Sequence, residues 1–242
     1  MAKQNNYIVC LDWETGGLDP KKHAVTQIGM EILDPITLKS IKKYSNYVKP
    51  YVKKEKKKSR VKKLVEREGR AEYYEYEAKA LEYTNITVEM CEQKGIEIEE
   101  LVKDIIDMFK AANPTNARNY KPVLLGQNLG FDIGFLQQVF EHCGEKLEKY
   151  VTTYKDFHGN TQPVYFDTQY LSRLYFAEDD RMTSVKLGLV SDELGVELIE
   201  AHSADADTQA TSGVFKIYVD NMRSSGGDSK KKTEKTRSHF KF

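Results

Sequence analysis

Two carboxylates close the first apolar run of the chain. Tyr7-Ile8-Val9-Cys10-Leu11 leads into Asp12-Trp13-Glu14, and Thr15-Gly16-Gly17-Leu18 follows. A run of this kind reads as a strand buried on both faces. Strand side chains alternate, so Asp12 and Glu14 point to one side, about 6–7 Å apart. Paired carboxylates at the end of a buried strand repel each other and are costly to desolvate. A divalent cation removes both problems, and oxygen-only ligands suit Mg²⁺ or Mn²⁺. On these residues alone, an exit of both acids into solvent at the turn stays equally open.

Helical spacing selects two more acids. Asp132 is followed at +3, +4, +7 and +11 by Phe135, Leu136, Val139 and Cys143, which places it on an apolar stripe. Asp207 is followed at the same offsets by Ala210, Thr211, Val214 and Tyr218, whereas Asp205 aligns with Thr208, Gln209 and Ser212. Asp207 is therefore expected to face inward and Asp205 to face water. An inward acid needs a hydrogen-bond partner or a metal; two of them beside an Asp-x-Glu strand favour one shared site. His202, five residues before Asp207, would stand at its rim. Imidazole titrates near neutrality and suits a general base that takes a proton from water.

These residues need an α/β frame. Val25 to Leu33 and Leu38 to Val48 read as strands two and three of an antiparallel meander with the first. Thr87 caps a short helix, and Ile98 to Phe109 forms an amphipathic one. Val123-Leu124-Leu125 is a buried strand before a helix from Phe131 to Cys143. Val164-Tyr165-Phe166 is the last strand, followed by helices over 168–176, 184–194 and 203–222. Strands first in a meander, then alternating with helices, indicate an α/β domain with a mixed sheet. Residues 144–163 receive no element.

Composition adds boundaries. The 242 residues carry 37 Lys and Arg against 37 Asp and Glu, so net charge excludes nothing, but its distribution is uneven. Lys49–Arg70 holds eleven Lys and Arg against three Glu. This stretch, with the helical spacing of Ala71, Tyr74, Ala78 and Leu81, reads as a charged helical insertion over about 49–83 that extends toward a polyanion. Residues 224–242 read as a flexible basic tail behind a domain of 1–223. Three cysteines without paired spacing, no membrane-length apolar run and no signal-peptide core give the expectation of a soluble cytoplasmic protein.

The chain resembles the DEDDh 3′–5′ exonucleases, whose members include the proofreading epsilon subunit of bacterial replicative DNA polymerase. The family's Asp-x-Glu-Thr-x-Gly is similar to Asp12–Gly17, its Asn-x-x-Phe-Asp to Asn128–Asp132, and its His-x-Ala-x-x-Asp to His202–Asp207. Softer likenesses are Gln27-Ile28-Gly29 and Phe166-Asp167-Thr168. Gln127 stands where many members have His, and Gly16 where Thr is common. The resemblance implies a ribonuclease H-like fold with a mixed five-stranded sheet flanked by helices. It implies two divalent cations, Mg²⁺ or Mn²⁺, held by Asp12, Glu14, Asp132 and Asp207, with His202 as base for the attacking water. It further implies substrate contacts from Thr15, Gly16, Gly17, Leu18, Asn128 and Phe131. The implied activity is hydrolysis of single-stranded or frayed DNA 3′ ends to nucleoside 5′-monophosphates, in proofreading or DNA degradation. An RNA 3′–5′ exoribonuclease and an inactive nucleic-acid-binding module are the alternatives. Nucleic acid, DNA ahead of RNA, is the expected partner, with a polymerase or another replication protein as a further one.

Overall fold

The computed structural model describes residues 6–53, 72–198 and 202–225. β1 (Ile8–Thr15), β2 (Val25–Leu33) and β3 (Ser40–Tyr47) form the antiparallel meander. After α1 (Ala78–Thr84), α2 (Val88–Lys94) and α3 (Ile98–Ala111), β4 (Val123–Gly126) lies parallel to β1. α4 (Leu129–His142) leads to a small hairpin of β5 (Thr153–Lys155) and β6 (Thr161–Pro163), and β7 (Tyr165–Asp167) then adds parallel to β4. α5 (Thr168–Tyr175), α6 (Leu187–Leu194) and α7 (Ala204–Ser225) follow. The sheet order is β3-β2-β1-β4-β7: the mixed five-stranded sheet of a ribonuclease H-like fold, with helices on both faces.

β1 is central, and its period-two alternation divides the core. Val9, Leu11 and Trp13 pack with Leu101, Ile105, Phe135 and Val139 on the α3–α4 side. Ile8 and Cys10 pack with Leu125 and Phe215 on the α7 side. Fully buried side chains such as Leu11 and Phe135 each contribute about 1.5–3 kcal/mol relative to exposure. The same alternation carries Asp12 and Glu14 onto the α7 side at the C-terminal end of the strand.

α7 lies close on this sheet because small residues line the contact. A Cβ on Gly29 would fall 2.0 Å from the Ala204 carbonyl oxygen, so only glycine admits the helix there. Thr208, Thr211 and Ser212 are buried, at 1%, 2% and 8% exposure. This corrects one expectation: the Thr208–Ser212 face is polar by composition, yet it faces the sheet rather than water, because short hydroxyl side chains allow close approach.

Other differences are local. Residues 72–76 do not continue a helix. Tyr73 and Glu75 bridge to Val52 and His23, as suits the β-prone alternation of Tyr73-Tyr74-Glu75-Tyr76, and Tyr74 packs on Tyr51 with ring centres 4.9 Å apart. The helix after it is the seven-residue α1. α6 begins at Leu187, since Lys186 is still extended and its N–H donates to the Ser184 hydroxyl. The β5–β6 hairpin turns at 156–160, where the Asp156 carboxylate accepts the Asn160 N–H at 2.8 Å and Gly159 has φ +80°. The basic stretch 54–71 and the tail from 226 lie outside the described residues. Among the described residues no helix is long and apolar enough to cross a membrane.

Candidate active site

Asp12, Glu14 and Asp207 offer carboxylate oxygens that all lie within 4.8 Å of one another. Two come from the end of β1 and the third from the first turn of α7. Asp132, in the first turn of α4, joins the same cavity of about 700 Å³, and its Oδ1 accepts the Trp13 N–H at 3.0 Å. Asp205 stays apart from the cluster and accepts from the Gln209 amide at 2.9 Å.

Among the described residues no Lys or Arg pairs with any of the four acids. Burial therefore acts on them without a Lys or Arg charge to oppose it. It raises the Asp12 carboxyl to about 8, with repulsion from Asp207 adding to it. It raises Glu14 to about 9, with Asp12 and Asp207 adding to it. Asp132 is pushed well up by burial and by Asp12, against the hydrogen bond from Trp13. Asp207 is raised by burial, while the His202 imidazole and the His202 backbone N–H, which donates to its carboxylate, hold it back. A crowded, oxygen-only donor set without a protein cation fits hard divalent cations.

His202 lies in the left-handed region, with φ +70°. Its ring centre is 4.1 Å from that of Tyr83 on α1, and both rings line the acidic cavity. A model of the DNA polymerase III subunit epsilon-like, C-terminal domain family (DEDDh_C) matches residues 7–216. The chain belongs to the DEDDh_C family. Its fold is also that of Escherichia coli exonuclease I. The structure of that enzyme with a dT13 oligonucleotide superposes with a TM-score of 0.65 at 19% identity, over 93% of this chain and 43% of that one. Its zinc-bound complex with single-stranded DNA gives 0.65 at 20% identity over 94% and 44%. Its product-bound form gives 0.62 at 19% over 94% and 48%. The chain thus spans less than half the length of these structures.

The other motif residues of this DEDDh_C chain fall in two groups. Asn128 and Phe131 line the cavity. Thr15, Gly16, Gly17 and Leu18 form the turn just past Glu14 and are not part of that lining. The Thr15 hydroxyl donates to the Gly17 carbonyl at 2.8 Å. Gly16 donates its N–H to Ala24 and accepts from the Glu77 N–H, so its backbone is engaged within the protein. Leu18 projects at 78% exposure. Trp13 is buried in the α3–α4 core, opposite Asp12.

Several supporting residues have roles that only the fold reveals. The Gln27 side chain accepts the Ala204 N–H at 3.2 Å and so anchors the start of α7. Asp167 accepts the N–H groups of Asn128 and Leu129 at the start of α4 and, as the N-cap of α5, that of Gln169. Gln127 accepts from the Thr168 hydroxyl and donates to the Val185 carbonyl at 2.8 Å. It ties the end of β4 to α5 and to the chain entering α6. The Gln27 and Asp167 positions carried a sequence signal in the softer motif likenesses; Tyr83 carried none.

Proposed function

We propose that this chain is a metal-dependent 3′–5′ exonuclease that hydrolyses phosphodiester bonds at single-stranded or frayed DNA 3′ ends, releasing nucleoside 5′-monophosphates. The observation that carries the reading is the convergence of Asp12, Glu14 and Asp207 within 4.8 Å, with Asp132 and His202 on the walls of the same cavity. Asp12, Glu14, Asp132 and Asp207 would hold two divalent cations, Mg²⁺ or Mn²⁺. Bound cations supply charge stabilisation to the phosphoryl oxygens and favour ionisation of the attacking water.

The remaining work belongs to this chain's own side chains. His202 takes the proton from the attacking water as general base. Tyr83, its ring tilted against the imidazole, limits its rotation. Trp13 N–H fixes one oxygen of Asp132 and leaves the other for the cavity. Phe131 and Asn128 flank the terminal nucleotide, and Leu18 packs against a base from the rim, as apolar groups do in single-strand recognition. A replication protein is a compatible partner, in line with the epsilon-like family.

End-labelled single-stranded DNA, duplex DNA and RNA of one sequence, incubated with Mg²⁺, Mn²⁺ or EDTA and resolved on a denaturing gel, test this. Stepwise shortening of DNA from the 3′ end with either metal, and none in EDTA, is the expected result. Faster shortening of RNA would reassign the substrate, and binding without shortening would make the chain a nucleic-acid-binding module.

A further inference from the structure

The acidic cavity does not end at its own walls. A second depression of about 530 Å³ adjoins it and shares Gln169 and Lys186 with it. Its remaining lining includes Arg173 of α5, the hydroxyl residues Thr183 and Ser184, and the side chains of Phe176 and Met182. Among the described residues no Asp or Glu lines it. Lys186 and Arg173 are exposed, and neither side chain has a hydrogen bond or ion pair among the described residues. Arg181, close by in sequence, is instead held by Asp179 and Glu193 at 2.6 and 2.9 Å. The groove therefore keeps two cations unneutralised beside a cavity that gathers acids. Its floor is also fixed, because Gln127 holds the Val185 carbonyl immediately before Lys186.

The geometry points to this groove as the path of the substrate strand upstream of the scissile bond. Lys186 and Arg173 contact successive backbone phosphates on the 5′ side, and Phe176 and Met182 offer an apolar surface to the bases. The assignment rests on the exonuclease reading above for its direction, since only a 3′ end in the acidic cavity places the 5′ side outside. The chemistry is that of a single-strand site, where cations track the backbone and apolar groups meet the bases without reading sequence. Lys186 borders both spaces and so also serves the terminal phosphate, while Arg173 belongs to the outer groove alone.

Binding and cleavage separate the two claims. Anisotropy of a 5′-labelled 12-nucleotide single strand, in EDTA from about 50 to 300 mM salt, reads the groove without catalysis. Each lost phosphate contact flattens the slope of log affinity against log salt by about 0.7. The Arg173→Ser/Lys186→Ser pair should therefore lose about 1.4 in slope and on the order of 10-fold or more in affinity. Lys110→Ser, an equal single-charge change on α3, should match the wild type. In the cleavage arm with Mn²⁺, Arg173→Ser should raise KM for the 12-mer several-fold and leave a dinucleotide unaffected, whereas Lys186→Ser should raise KM for both. Affinity and slope of the double variant equal to those of Lys110→Ser would overturn the groove, as would absence of oligonucleotide binding by the wild type. A wild type that binds with the expected slope but cleaves neither substrate would instead reject the exonuclease reading and leave the groove standing.

Discussion

The inner cavity and the outer groove are neighbours with opposite electrostatics. The cavity brings Asp12, Glu14, Asp132 and Asp207 together with no Lys or Arg paired to them among the described residues, Lys186 standing at its border with the groove, and burial raises their pKa values. The groove holds Arg173 and Lys186 with no acid among the described residues that line it. A polyanion would be repelled by the first and attracted by the second. On the proposed reading the division assigns tasks: protein charge would draw the strand in, and charge from bound cations would make the cutting end habitable. Rigidity differs as well. The acids sit on β1 and on the opening turns of α4 and α7, while the groove wall depends on an extended segment tethered by Gln127.

The largest effects should come from breaking the acidic side. Asp12→Ala or Asp207→Ala should lower metal-dependent cleavage by about 10³-fold or more, since charge stabilisation by a catalytic metal is worth several kcal/mol. Asp205→Ala should change the rate less than about 3-fold, because its carboxylate bonds Gln209 outside the cluster. Equal losses at Asp205 and Asp207 on the same gel assay would place Asp205 in the metal site as well. Next, His202→Ala should lower kcat by about 10²–10⁴-fold, the usual contribution of a general base. Mn²⁺ affinity by calorimetry should be retained, and its loss would make His202 a ligand or a structural support instead.

Tyr83 sharpens the comparison, because it brings α1 to the cavity that α6 also lines. Removing its ring with Tyr83→Ala should lower kcat by about 10-fold through misplacement of the imidazole, with KM little changed. Tyr83→Phe keeps the ring contact and should restore turnover. Failure of the Phe variant to do so would shift the role from the ring to the hydroxyl.

The smallest effect concerns stability without metal. Asp12 and Glu14 have folded pKa values near 8 and 9, raised from 3.8 and 4.5. Between those limits the folded state binds more protons than the unfolded one. Stability in EDTA should thus be full below about pH 4 and decline as pH rises toward 9. Tm at pH 6 and pH 8 should show that decline in EDTA, should lose it in excess Mg²⁺, and should show a shallower fall for Asp12→Asn. A Tm difference between the two pH values that Mg²⁺ leaves untouched would count against these two carboxyls as its source.

Legibility in the sequence followed the range of the interaction. β2 (Val25–Leu33), the capped α2 and the inward setting of Asp132 follow from period and neighbours a few positions away. The three motif segments stood out because their residues are contiguous. Tyr83 against His202, and Gln127 against Val185, are contacts across the fold that no local pattern encodes. The burial of Thr208 and Ser212 was hidden for a related reason: polarity suggested solvent, but side-chain size decided the packing once Gly29 opened the sheet surface. At 72–76, helical spacing lost to the pairing of a tyrosine-rich segment with Val52 and His23.

One feature of the site bears on the life of the chain before it is finished. Asp12 and Glu14 lie in the first strand, and Asp207 lies in the last helix. During synthesis the strand emerges long before the helix, and N-terminal parts fold first. The acidic cluster therefore cannot form on a nascent chain until nearly all the described domain has left the ribosome and α7 has docked. A chain cut short before α7 would carry two of the cluster's three carboxylates and lack the third.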